Sequence, residues 1–116
     1  MVWLYSSALF MVITAAIHSL AGEKRLLSLV FSASPALAAN TMAGRIFRGA
    51  WHLTSLFMAL TAAVMVWPDT SASLKALVAG TWLAVGLYSL ISSRGKHIGW
   101  PSLALAGVTG LIGSVA

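Results

Sequence analysis

The sequence predicts an all-α integral membrane protein, a four-helix transmembrane bundle. Three observations predict it. Of the 116 residues, 59% are hydrophobic and only 8% charged, whereas a soluble domain needs about 25% charged residues to cover its surface. The mean hydropathy is +0.93. The apolar residues also fall into four runs, separated by short polar breaks at which nearly all the basic side chains collect. The length allows a single transmembrane domain, 1–116, with spans at about 3–21, 46–67, 74–92 and 101–115.

Trp3 to Ala21 is an unbroken apolar run, close to the ~20 residues that span a bilayer core. It lacks a basic n-region and exceeds the ~7–15 residues of a signal-peptide core, so it reads as a retained first helix anchored by Trp3 and Tyr5. Gly22-Glu23-Lys24-Arg25 is expected to end that helix at water. Leu26–Phe31 is too short to cross and is expected to lie in the interface as an amphipathic turn or short helix. Ser32-Ala33-Ser34-Pro35 and the alanines up to Asn40 read as a connector, with Asn40 or Thr41 as N-cap of the second helix. That helix starts in the early forties and closes at Trp67-Pro68-Asp69, because proline cannot continue a helix. Ser71 or Ser73 caps the third span. Ser93-Arg94-Gly95-Lys96-His97 is a polar break, and Pro101 suits the first turn of a fourth, shorter helix.

Lys24, Arg25, Arg45, Arg48, Arg94 and Lys96 flank the first and third connections, and only Lys75 lies at the other end. Positive charge is retained on the cytoplasmic side, so both termini are expected outside (N-out/C-out) in a bacterial inner membrane. This bias also accounts for the net charge of +5 without nucleic acid as a partner. The absence of cysteine excludes disulfides, thiolate metal sites and thiol nucleophiles. Glu23 and Asp69, the only carboxylates, fall on opposite sides of the membrane, which excludes a paired-carboxylate mechanism.

Small residues recur every four positions at Ala76, Gly80 and Ala84 in the third span, and at Ser102, Ala106, Gly110 and Ser114 in the fourth. Such faces let helix backbones approach closely in lipid. They are expected to pack these helices together or to join protomers of a homo-oligomer.

The chemistry concentrates at one end. Arg45, Arg48, His52 and Ser55 share a helical face at about 100° per residue, and the topology brings His18 and His97 to the same membrane side. Glu23 follows His18 by five residues, about 140° around an unbroken α-helix, unless the chain breaks at Gly22. His18, His52, His97 and Glu23 form a first shell suited to a transition metal such as zinc, iron or copper, with haem as a lesser alternative. Ordinary interfacial or structural histidines are the plainer reading of these positions, and a proton-transfer or catalytic role is a third. Arg45 and Arg48 on the same face suit an anion such as a lipid phosphate, making anionic lipids expected partners. Thr14, Ser55 and Ser89 add inward-leaning hydroxyls. No phosphate-binding glycine loop, GxSxG or HExxH occurs. No span carries the acidic residue expected of a four-helix multidrug exporter.

The segments HSLAGEKRLL (18–27), RGAWHLTSL (48–56) and SRGKHIGWPSL (93–103) resemble a group of small, uncharacterised bacterial four-helix membrane proteins. The resemblance spans most of the chain and implies the same topology, but no activity, cofactor or catalytic residue. The expectation is a small membrane protein with a histidine-lined polar site at the cytoplasmic face that binds a metal ion or another small ligand. An oligomeric transporter or channel, or an accessory subunit of a larger membrane complex, are the alternatives.

Overall fold

Thr41 and Ser71 show how the sequence starts its helices. Each sits in extended backbone and turns its hydroxyl to accept a backbone N–H three residues on, from Gly44 at 3.1 Å and Leu74 at 3.2 Å, satisfying a donor that the first helical turn leaves unpaired. In the computed structural model, which describes residues 1–116, these caps open α3 (Met42–Val66) and α4 (Ala72–Ser92). They follow α1 (Val2–Ala21) and α2 (Ser28–Ala33), and precede α5 (Trp100–Val115), which has Pro101 in its first turn. A 3-10 turn, Pro35–Leu37, lies in the connector before α3. The polar break before α5 turns through Arg94 and Gly95, both at positive φ (53° and 79°).

The expected end of the first helix at Gly22–Arg25 does not occur. The chain passes through a π-helical turn, Gly22–Leu27, directly into α2, making one helical path from Val2 to Ala33. Leu26–Phe31 is therefore the helix's continuation rather than a separate interfacial turn. Leu27 is fully buried, and Phe31 meets Phe47 of α3 edge-on, with ring centroids 6.4 Å apart. These apolar contacts hold the chain on course past a charged segment that looks like an ending.

Helices α1 and α5 run antiparallel. Ser102 on α5 meets Thr14 on α1, and farther along the same pair Ser7 donates to the Ala106 carbonyl at 2.7 Å. The order across the bundle is α3, α1, α5, α4: α5 packs extensively on α4 and α1, and α1 on α3. Although the turn Trp67–Ser71 joins them, α3 and α4 barely touch. Trp82 reaches across the gap and donates its Nε1–H to Thr61 Oγ1 at 3.1 Å.

The core consists of Met11, Ala62, Met65, Ala79, Trp82, Leu103 and Ala106. Ser7, Thr14, Ser55 and Thr109 are buried as well, while Leu9, Val12, Leu56, Leu60, Leu77 and Val85 point outward. Polar groups inside and leucines outside is an arrangement suited to lipid, and no buried side-chain nitrogen or oxygen lacks a partner. Three helical stretches, Val2–Ala33, α3 and α4, are long and apolar enough to cross a membrane, and α5 is a shorter apolar helix.

The close-packed face of α5 holds Ala106, Gly107 and Gly110, all buried. A Cβ on Gly110 would come within 3 Å of Ala79, Ser7 and Met65, and one on Gly107 would strike the Leu83 backbone. On α4 the packed positions are Ala79, Trp82 and Gly86, not the expected Ala76, Gly80 and Ala84. Gly80 has open space where a side chain would go, and Ala84 is exposed. The two stripes on α4 are offset by a fraction of a turn, and only the approach of α5 selects between them.

Candidate functional site

The site grows from the π turn. Glu23 is the second residue of that turn and faces α3, where it bonds His52 and Arg48. Glu23 there lies one turn beyond Ser19. His52 of α3 fits between them, with Nε2 at 2.9 Å from Glu23 Oε2 and Nδ1 at 2.9 Å from Ser19 Oγ. Arg48, one turn before His52, donates from Nη2 to Glu23 Oε1 at 2.8 Å, and its guanidinium lies over the Phe31 ring, 4.8 Å from the centroid. One turn after His52, Ser55 accepts from Ser19 Oγ at 2.6 Å and meets His18 Nδ1 at 2.8 Å.

Trp51 fixes the other face of His18. The two rings stack with centroids 4.2 Å apart and planes 8° from parallel. The indole also donates its Nε1–H to the His18 carbonyl at 2.8 Å. Gly22 makes the approach possible, since a Cβ there would lie 2.2 Å from Trp51 Nε1.

Counting hydrogens limits the senses this chain can take. A serine hydroxyl has one hydrogen to give and two lone pairs with which to accept. With the Ser19 hydrogen given to Ser55, Ser19 accepts from His52 Nδ1. Ser55 then either gives its own hydrogen to His18 Nδ1, which puts the His18 hydrogen on Nε2, or accepts from that ring as well. The His52 Nε2–Glu23 Oε2 contact becomes an ion pair when His52 is protonated. His18 Nε2 has no protein partner, and because no buried polar atom is unpartnered, it is open to its surroundings.

Those surroundings are a groove of about 300 Å³ between α1, α3 and the start of α5. Ile17, Met58, Ile98 and Leu103 wall it, while His18, His97 and Arg25 supply polar groups. From Thr14 to Arg25 it follows the helix for about 16 Å at 1.5 Å per residue. A second hollow of about 230 Å³ in the gap between α3 and α4 shares Met58 and Leu103 as lining residues with it.

The expected site residues divide three ways. His18, His52, Glu23 and Arg48 join one network. His97 lines the groove beside His18, but its Nδ1 accepts the Gly99 N–H at 3.1 Å and it bonds to none of the others. Arg45 turns away to the Asn40 carbonyl at 3.1 Å and is exposed. No group of three or more histidine, cysteine or carboxylate side chains is placed to hold a metal ion, and His52 uses both ring nitrogens on Ser19 and Glu23. The sequence reading missed Ser19, Trp51 and Arg25 as parts of the site. Ser19 had a signal, lying one turn before Glu23 and next to His18. No protein-family model, no curated protein and no solved structure matches the chain.

Proposed function

We propose that the protein is an integral membrane binding protein of the bacterial inner membrane. In this reading both termini lie outside, and the histidine-bearing end at the cytoplasmic side takes an amphiphile with an acidic head group. The groove carries this reading. Its lining is mostly apolar, and His18, His97 and Arg25 supply its polar groups. Its volume lies at the lower end of the usual range for ligand pockets, about 300–1,000 Å³. A chain lying against Met58 and Leu103 would place a carboxylate or phosphate among those donors, where a charge-assisted hydrogen bond is strongest. A mostly apolar wall that carries a few basic groups favours an amphiphile over a bare metal ion.

Titration calorimetry of the detergent-solubilised protein with oleate tests the reading. Removing the guanidinium in Arg25→Ala should weaken binding about tenfold, the equivalent of 1.4 kcal/mol and near the low end for a charged hydrogen bond. Leu103→Trp, which fills the groove, should abolish it. Vesicles containing phosphatidic acid, set against phosphatidylcholine alone, show whether the head group is supplied by a membrane lipid instead. Affinity unchanged in both variants would overturn the proposal.

A further inference from the structure

We propose that the hydrogen-bonded chain from Glu23 through His52, Ser19 and Ser55 to His18 is a proton relay, carrying a proton from the outer edge of the site to the acidic head group in the groove. The identity of the recipient rests on the reading above. The relay itself rests on the unbroken chain of contacts, whose loaded state has His52 protonated and the His18 hydrogen on Nε2.

Four contacts of 2.6–2.9 Å join the five side chains without a gap. One end is wet, since the Glu23 and Arg48 side chains are 38% and 44% exposed. The other end is His18 Nε2, which has no protein partner, in the groove. In the loaded state each donor is aimed at the next acceptor, from His52 Nδ1 to Ser19, Ser19 to Ser55 and Ser55 to His18 Nδ1. The charged groups around the relay are Arg48 on Glu23, Arg25 and His97 at the groove, and no carboxylate besides Glu23.

The transfer balances. His18 Nε2–H goes to an oxygen of the bound anion. Ser55 passes its hydrogen to His18 Nδ1, Ser19 passes its own to Ser55, and His52 Nδ1–H goes to Ser19. Each intermediate atom group gives one proton and takes one. His52 ends neutral, holding its remaining hydrogen toward Glu23, and the head group ends as the neutral acid. The imidazolium's charge and the ligand's charge disappear together. Rotation of the two hydroxyls and tautomer exchange at His18 restore the starting sense, and the His52–Glu23 pair reloads from water. A neutralised head group loses its attraction to Arg25, so proton delivery is coupled to release.

The order Glu23–His52–Ser19 also resembles the carboxylate–imidazole–hydroxyl order of a nucleophilic triad. The hydroxyl here is turned to Ser55, however, and neither Ser19 nor Ser55 lines the groove or the second hollow. Substrate has no path to that oxygen, and transfer of protons along the chain is what the geometry serves.

Two measurements test the relay. In the first, carboxyl-labelled oleate is bound at saturation and the pH is dropped rapidly, while infrared absorption follows conversion of carboxylate to acid. Ser19→Ala and Ser55→Ala should slow protonation about 100-fold, the scale of a positioned proton-transfer group, and Ser19→Thr should restore it by returning a hydroxyl. Wild-type rates in both alanine variants would overturn the relay. The second needs no ligand: ¹⁵N spectra of the imidazoles in the wild-type protein should show His18 protonated on Nε2 alone and His52 on both nitrogens. A His18 hydrogen on Nδ1 would overturn the relay even if oleate binds. The expected pattern without oleate binding would remove the amphiphile reading and leave the relay standing.

Discussion

The α4–α5 and α1–α3 interfaces solve the same problem by different means. Between α4 and α5 the backbones come together: a Cβ on Gly86 would lie 2.6 Å from the Ala104 nitrogen, and one on Gly107 would lie 2.5 Å from the Leu83 nitrogen. No side-chain hydrogen bond joins the two helices along this contact; the polar contacts of α5 are made to α1, to the polar break before it and within its own helix. Between α1 and α3 the helices are joined instead by side chains, through Trp51, His52 and Ser55 against His18, Ser19 and Glu23. In lipid, where apolar surface gains nothing by leaving the solvent, both routes are available: close van der Waals packing and interhelical hydrogen bonding. The packed interface provides rigidity and tolerates no added atoms. The bonded interface needs more space between helices, and that space is what the groove uses.

The comparison can be broken most forcefully at the packed interface. Gly86→Leu places a side chain against the backbone of Ala104, which cannot move aside as a flexible side chain could, and should destabilise the protein by about 3 kcal/mol. Gly80→Leu, on the open side of the same helix, should stay within about 0.5 kcal/mol of wild type. Thermal unfolding of the two variants in detergent checks the pair, and equal losses would mean that α4 packs in another register.

A smaller effect is expected at the bonded interface from Gly22→Ala. The added methyl group displaces the Trp51 ring, an end that can shift, so the cost should be about 1–2 kcal/mol. Oleate affinity should fall with it, because the groove wall moves. Unchanged melting and binding would show that Trp51 does not depend on the glycine.

Trp51→Phe should have the least effect. The ring face is kept and only the bond from Nε1 to the His18 carbonyl is lost, at about 0.6 kcal/mol, the average for a hydrogen bond between membrane helices. A loss above that of Gly86→Leu in the same melting assay would reverse the ranking of the two interfaces.

Much of the fold was legible in the sequence because its punctuation is local. Pro68 with Asp69, the Ser71 and Thr41 caps, and Pro101 act through their own backbone geometry, so the helices that they bound fall within a few residues of expectation. The path through Gly22–Leu27 was not legible. Glycine followed by three charged residues looks like an exit to water, and what keeps the helix going is long-range: the burial of Leu27 and the seating of Phe31 on Phe47. The packed stripe on α4 was hidden for a related reason. The helix has small residues on adjacent faces, and only the position of α5 makes Ala79 and Gly86 the packed ones. At the site, His18, His52 and Glu23 stood out by their rarity in an apolar chain. Ser19 did not, because one serine among many carries no mark of the bond it will make.

The stacking of His18 on Trp51 also has an optical consequence. An imidazole held 4.2 Å from an indole and nearly parallel to it cannot gain or lose charge without altering the electron density of its neighbour, because a cation over an indole face interacts with the ring's π-electrons. Trp51 is thus an intrinsic gauge of the His18 charge state. A variant retaining Trp51 as its sole tryptophan would report proton arrival at the groove as a change in emission, with no label attached and no atom of the site replaced.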